Sequence, residues 1–155
     1  MIALCLALGF SMPARAAVSF SCTVSATGIN FGIYNPLSTT GDSAAGSWTV
    51  TCTAAGTGSA TVSGTLSMST GSSGQYATRK MMSGTNTLNY NIYVTPSYTL
   101  IFGDGTAGTY APSESGTVTA GQVYQVAGNM YGFVPASQDV VPGSYADTIV
   151  ITVTY

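Results

Sequence analysis

A period of two in the apolar residues, repeated in several short stretches, restricts this chain more than any other feature. Phe20, Cys22 and Val24 alternate with Ser19, Ser21, Thr23 and Ser25. Trp48, Val50 and Cys52 alternate with Ser47, Thr49, Thr51 and Thr53. Leu88, Tyr90, Ile92 and Val94 repeat the pattern, and so do Ile149, Ile151, Val153 and Tyr155. Successive side chains of an extended strand point to opposite faces, so each stretch offers one apolar face to a core and one polar face to water. Further strands are expected at 60–68, 98–102, 116–119 and 131–134. Asn35-Pro36, Gly103-Asp104-Gly105 and Pro142-Gly143 punctuate them as turns, and the Gly/Ser/Thr-rich stretches 54–59 and 69–74 read as loops between strands. No helical period and no internal repeat interrupts this pattern. The chain of 155 residues has room for one sizeable core. The expected fold class is therefore all-β, a single antiparallel sandwich or barrel.

The first residues follow a different rule. Residues 2–10 are an apolar run, and Ala14-Arg15-Ala16 supplies the small-x-small pattern that ends a secretory leader. Cleavage is expected after Ala16 or Ala17, dividing the chain into a leader, 1–16, and a mature domain, 17–155. The run is less than half of the ~20 residues that a membrane-spanning helix needs. The usual cation ahead of the apolar run is missing, so the true start is expected to lie upstream. Export removes Cys5 with the leader. Cys22 and Cys52 then remain as a pair on the apolar faces of their strands, where a disulfide is expected and two buried free thiols are the alternative. Closing a loop of roughly 30 residues stabilises a fold by about 3–4 kcal/mol in the chain-entropy account.

Charge and composition exclude most chemistry. Charged residues are 5% of the chain, against roughly a quarter in ordinary globular proteins, while hydrophobic residues reach 45% and can drive burial. The mature domain holds two cations, the adjacent Arg79 and Lys80, which make no basic stripe, so no nucleic-acid partner is expected. Histidine is absent, which removes imidazole bases and the commonest metal ligand. A Cys22–Cys52 bridge removes thiolate nucleophiles and zinc ligands as well. The five acids are scattered and each has a structural role available: Asp104 and Asp139 at turns, Asp147 bonding to backbone where the last strand begins. No catalytic residue, metal site or cofactor is expected, and the protein is expected not to be an enzyme. Of the ten tyrosines, Tyr34, Tyr76, Tyr110 and Tyr124 lie in or beside loops, and Tyr34 and Tyr110 are the candidate surface-binding aromatics.

Several stretches, in order, resemble a known family. They are Cys22-Thr23-Val24, Asn30-Phe31-Gly32-Ile33-Tyr34-Asn35-Pro36, Val50-Thr51-Cys52-Thr53, Arg79-Lys80-Met81-Met82, Leu88-Asn89-Tyr90-Asn91-Ile92-Tyr93 and Phe102-Gly103-Asp104-Gly105. Tyr131-Gly132-Phe133-Val134-Pro135 and the run from Gly143 to Tyr155 complete the set. Together they resemble the spore coat protein U domain family, related to the subunits of archaic chaperone–usher pili. That resemblance implies an immunoglobulin-like sandwich lacking its final strand, which a periplasmic chaperone and then a neighbouring pilus or coat subunit supplies during assembly at an outer-membrane usher. The acceptor groove is then expected beside Phe20 and Val24 of the first strand and Ile149, Ile151, Val153 and Tyr155 of the last. Such subunits usually carry an N-terminal donor extension. Here Ala17 to Ser21, roughly 17 Å when extended, precede Cys22, so a terminal or non-polymerising subunit is expected over a repeated shaft subunit. A tip adhesin that binds sugars or surfaces through loop aromatics is the alternative.

Overall fold

The computed structural model describes residues 18–155, so the expected leader and its cleavage site lie outside the described residues. Eight strands follow in order: β1 (Ser19–Thr27), β2 (Asp42–Ala55), β3 (Ser59–Met68), β4 (Arg79–Ser83), β5 (Asn86–Tyr93), β6 (Ser113–Thr119), β7 (Val123–Val134) and β8 (Ile151–Thr154). A five-stranded sheet has the order β1-β2-β7-β5-β4, and a three-stranded sheet has the order β6-β3-β8. Every pairing between these strands is antiparallel. The result is the expected two-sheet antiparallel sandwich.

The stretches with clean alternation became strands, and the departures have local causes. The strand expected at 98–102 is reduced to isolated bridges, Ile101 to Tyr93 and Phe102 to Tyr110. Tyr98 there holds φ at 55°, a left-handed conformation that interrupts extension. β7 begins at Val123 rather than at 131, because Gly128 and exposed Val123 blur the period of its first half. β4 was not anticipated at all, since it opens on two cations.

The interior divides into a main cluster around Trp48, Leu66, Tyr90, Phe102 and Val134, and a smaller one around Cys22, Cys52, Val62 and Val118. Cys22 and Cys52 are direct partners in the β1–β2 register and are disulfide-bonded, with their Cα atoms 4.1 Å apart. The bridge thus joins neighbouring strands of one sheet and fastens β1, which among the described residues has β2 as its sheet neighbour.

Arg79 is fully buried, with 0% of its surface exposed. Its guanidinium replaces water with protein acceptors: Nε and Nη2 donate to the Ser69 carbonyl at 3.1 and 2.8 Å, Nη2 to the Phe102 carbonyl at 2.7 Å, and Nη1 to Asn91 Oδ1 at 2.8 Å. Asn91 Nδ2 in turn donates to the carbonyls of Tyr76 and Ala77. One planar fork therefore holds the end of β3, the strand β5 and the 102 segment together, which is the use of arginine that a lysine point charge cannot reproduce. Nearby, Tyr90 donates its hydroxyl to Asp147 Oδ2 at 2.8 Å. Burial, followed by that bond and the carboxylate charge, pushes the Tyr90 phenol above its ordinary value.

Two outcomes follow from this network. Arg79→Lys keeps the charge but orphans buried acceptors and is expected to cost on the order of 3 kcal/mol, read as a lowered urea midpoint; an unchanged midpoint would show that the fork is dispensable. Because the folded-state pKa of Tyr90 is raised, its contribution to stability is present below a phenol's usual value of about 10 and is lost as pH rises above it. Absorbance at alkaline pH should therefore show a tyrosine ionisation step coupled to unfolding, and Tyr90→Phe should shrink that step; a step of unchanged size would show that Tyr90 does not contribute to it.

Candidate functional site

An open cleft runs along one margin of the sandwich. One wall is the 28–34 stretch that follows β1, and the other is the 145–151 stretch that leads into β8. The floor is formed by core residues from four strands, Met68, Met81, Tyr90, Ile92 and Met130. This part has a volume of about 470 Å³. It continues past Ile29, Phe31, Met81 and Tyr145 into a second part of about 690 Å³ bordered by Tyr34, Pro36 and Val140. Between Val50, Leu66, Val153 and Tyr155 lies a much narrower gap of about 40 Å³. Phe20 packs on Tyr155 there, with ring centroids 5.7 Å apart.

Both walls are built by identifiable local chemistry. The first turns inward at Asn30, whose Oδ1 accepts the Gly32 amide at 2.9 Å. Phe31 then lies over Gly132 of β7, where an added Cβ would stand 2.5 Å from the ring, and meets Tyr90 edge-on with centroids 6.0 Å apart. The Tyr34 hydroxyl closes this wall, donating to the Pro135 carbonyl at 3.0 Å and accepting from the Gln138 amide at 2.8 Å. The second wall is pinned by Asp147. Its Oδ1 accepts from the Ser72 amide, the Ser72 hydroxyl and the Thr148 amide at 2.9, 2.6 and 2.8 Å. Gly71 makes that approach feasible, for its φ of +67° and its contact with the Asp147 carboxylate leave no place for a side chain. Met82 and Ala146 exchange backbone hydrogen bonds of 2.7 and 3.0 Å, which tie this wall to the edge strand β4.

Among the described residues, backbone pairing is incomplete at this margin. β1 is the edge of its sheet and pairs with β2, and β8 is the edge of the other and pairs with β3. Side chains alternate along the terminal segment as a strand requires: Tyr145, Asp147, Ile149, Ile151 and Val153 point inward, and the residues between them are exposed. Yet none of those five is fully buried. Ile29 and Phe31 on the opposite wall are likewise half-buried.

The six residues expected to line a groove are divided by the structure. Ile149 and Ile151 line the wide part, Val153 and Tyr155 the narrow gap. Phe20 reaches Tyr155, and Val24 packs against the main core. The wall and floor residues Ile29, Phe31, Met81, Met130 and Tyr145 were missed. A signal for the first two exists: the even-numbered alternation of β1 changes parity at Gly28 and continues as Ile29, Phe31 and Ile33. Of the loop tyrosines, Tyr34, Tyr76 and Tyr124 each donate to a backbone carbonyl, while Tyr110 is 46% exposed. Ile33 and Leu37 stand out further, 95% and 89% exposed.

The acids have the structural roles expected of them where bonds are seen. Asp104 accepts from the Thr106 hydroxyl and amide, bonds that hold its carboxyl below the usual carboxylate value. Among the described residues no group of three or more His, Cys, Asp or Glu could hold a metal ion, and no helix is long and apolar enough to cross a membrane.

Comparison with known proteins places this architecture. No curated protein matches the sequence. The fold is similar to a chain in the crystal structure of the CsuC–CsuE chaperone–tip adhesion subunit pre-assembly complex from the archaic chaperone–usher Csu pili of Acinetobacter baumannii, with 20% identity and a TM-score of 0.53. That match covers 88% of this chain but 40% of the other, so the present chain spans less than half of its length. At this identity the likeness establishes a shared immunoglobulin-like sandwich. The profile of the Spore Coat Protein U domain matches residues 9–152, nearly the whole sequence, and the chain belongs to that family.

Proposed function

We propose that this protein is an exported, non-enzymatic subunit of a bacterial surface fibre or coat of the chaperone–usher type, and that its open cleft receives a β-strand from another chain. One observation carries the reading: among the described residues β1 and β8 each lack a second strand neighbour at the same margin, and the inward-facing residues of the terminal segment are left half-exposed. An extended partner segment with alternating apolar residues answers both deficits. Its backbone would pair with an edge, and its inward side chains would cover the floor. Each large apolar side chain seated in this way contributes roughly 1.5–3 kcal/mol. The family and the shared fold support a periplasmic chaperone as the first donor, an outer-membrane usher as the assembly site and a neighbouring subunit as the final donor. The leader at 1–16 accounts for export. The acceptor set is Ile149, Ile151, Val153 and Tyr155 with Phe20 and Val24, extended by Ile29 and Phe31.

The mature chain made in a periplasm should be recovered folded and soluble only with a chaperone of this class, and the two should co-purify. Ile149→Asp places a charge on the cleft wall and should abolish co-purification. A chain that is monomeric, soluble and cooperatively folded by itself would sink the proposal.

A second reading, a tip-type adhesin, is favoured by the near-complete exposure of Ile33 and Leu37 and by Tyr110 on another loop. Apolar side chains so exposed are candidates for contact with a surface. Replacing Ile33 and Leu37 together by Ser should reduce adhesion to apolar surfaces several-fold without disturbing chaperone co-purification. Unchanged adhesion would rule out that loop as the contact.

A further inference from the structure

Four methionines lie among the described residues, Met68, Met81, Met82 and Met130, and all but Met82 border the same part of the cleft. They are packed into the core cluster, with exposures of 1% for Met68, 8% for Met81 and 4% for Met130. Beside them, however, lies about 470 Å³ that water-sized molecules can occupy. Hydrogen peroxide is little larger than water. Both cysteines of the described chain are already joined in a disulfide, so these thioethers are the soft, oxidisable sulfur atoms that remain.

We infer that Met81 and Met130 are oxidation sites for a peroxide entering the cleft, and that their sulfoxides close the cleft to an incoming apolar strand. The reaction is a two-electron oxygen transfer. The thioether sulfur attacks one peroxide oxygen, the O–O bond breaks as an S–O bond forms, and proton transfer to the departing oxygen releases water. Sulfur is oxidised by two electrons and the peroxide is reduced by two. The product carries a strongly polar oxygen on a floor where Ile29, Phe31 and Ile92 offer no side-chain donor and the hydroxyls of Tyr90 and Tyr145 already donate to Asp147 and to the Val141 carbonyl. A strand laid over this floor would bury that oxygen without a hydrogen bond, which is unfavourable. Conversely, a seated strand excludes the peroxide. The cleft is thus sensitive to oxidant while open and protected once filled. The effect on strand addition rests on the function proposed above; the oxidation does not.

The test exposes the free chain, the chain–chaperone complex and the urea-unfolded chain to hydrogen peroxide and follows each methionine by peptide mass spectrometry. Met81 and Met130 should gain one oxygen in the free chain and several-fold more slowly in the complex, while Met82 changes little between the two. Equal rates in both forms would overturn the inference, as would rates in the free chain too slow to measure beside those of the unfolded chain. A fluorescent peptide of alternating threonine and leucine should bind the oxidised chain at least about tenfold more weakly than the untreated one, a loss of roughly 1.4 kcal/mol. The volume-conserving double variant Met81→Leu, Met130→Leu, compared with its own untreated affinity and not with the parent's, should show no such loss on the same treatment. Unchanged affinity of the oxidised chain, a comparable treated-against-untreated loss in the Leu variant, or loss of the cooperative melt on oxidation would each overturn the closure step. If the untreated chain binds neither chaperone nor peptide, the strand-addition reading fails, and the comparison of free with unfolded chain still decides the oxidation.

Discussion

A β-strand at the margin of a sheet presents backbone donors and acceptors that must find partners, and the organisation of this molecule follows from how its margins meet that demand. At β4 the demand is met within the chain, because Ala146 exchanges two hydrogen bonds with Met82. At the margin shared by β1 and β8 it is not met among the described residues, since each strand has one neighbour. The same margin is where the inner face of the larger sheet opens to a cleft. Incomplete pairing and incomplete burial among the described residues therefore coincide at one margin. The disulfide sits on the β1 side of that margin, and the Asp147 bonds sit on the opposite wall. Both fasten elements at a margin where each described edge strand has one neighbour.

A chain with so few charges has to place them carefully. Arg79 is withdrawn completely into the protein, with its bonds going to carbonyls and an amide oxygen rather than to a carboxylate. Such a site is stable only while every acceptor stays in place, so it imposes geometry on the segments that carry them. Asp147 behaves similarly, with its two oxygens shared among Ser72, Thr148 and Tyr90. These polar anchors hold the cleft floor and one wall in position without requiring the cleft itself to be filled.

Much of the fold was legible because a period of two survives wherever a strand has one wet face. β1, β2, β5 and β8 were readable in this way, as was the pairing of Cys22 with Cys52. β4 was not, because a local reading treats Arg79 as a solvent-facing charge; only the distant carbonyls of Ser69 and Phe102 make its burial tolerable. The cleft was half-legible for a related reason. Ile149 and Ile151 carry their own alternation, but the floor gathers Met68, Met81, Tyr90, Ile92 and Met130 from four strands, and no local pattern brings them together. Tyr34 shows the opposite failing. Its loop position suggested exposure, whereas its hydroxyl is engaged by Pro135 and Gln138, roughly a hundred positions away.

The placement of flexible side chains sharpens the meaning of the cleft. A floor intended to be permanently covered by this chain could be built from branched residues with fixed shapes, as Val62 and Val118 are in the closed cluster by the disulfide. The open part instead uses Met68, Met81 and Met130, unbranched side chains that adapt to whatever lies against them. Around the cleft these compliant thioethers lie on the floor, while branched Ile29, Ile149 and Ile151 stand on the walls, so the floor can adjust its shape while the walls keep theirs.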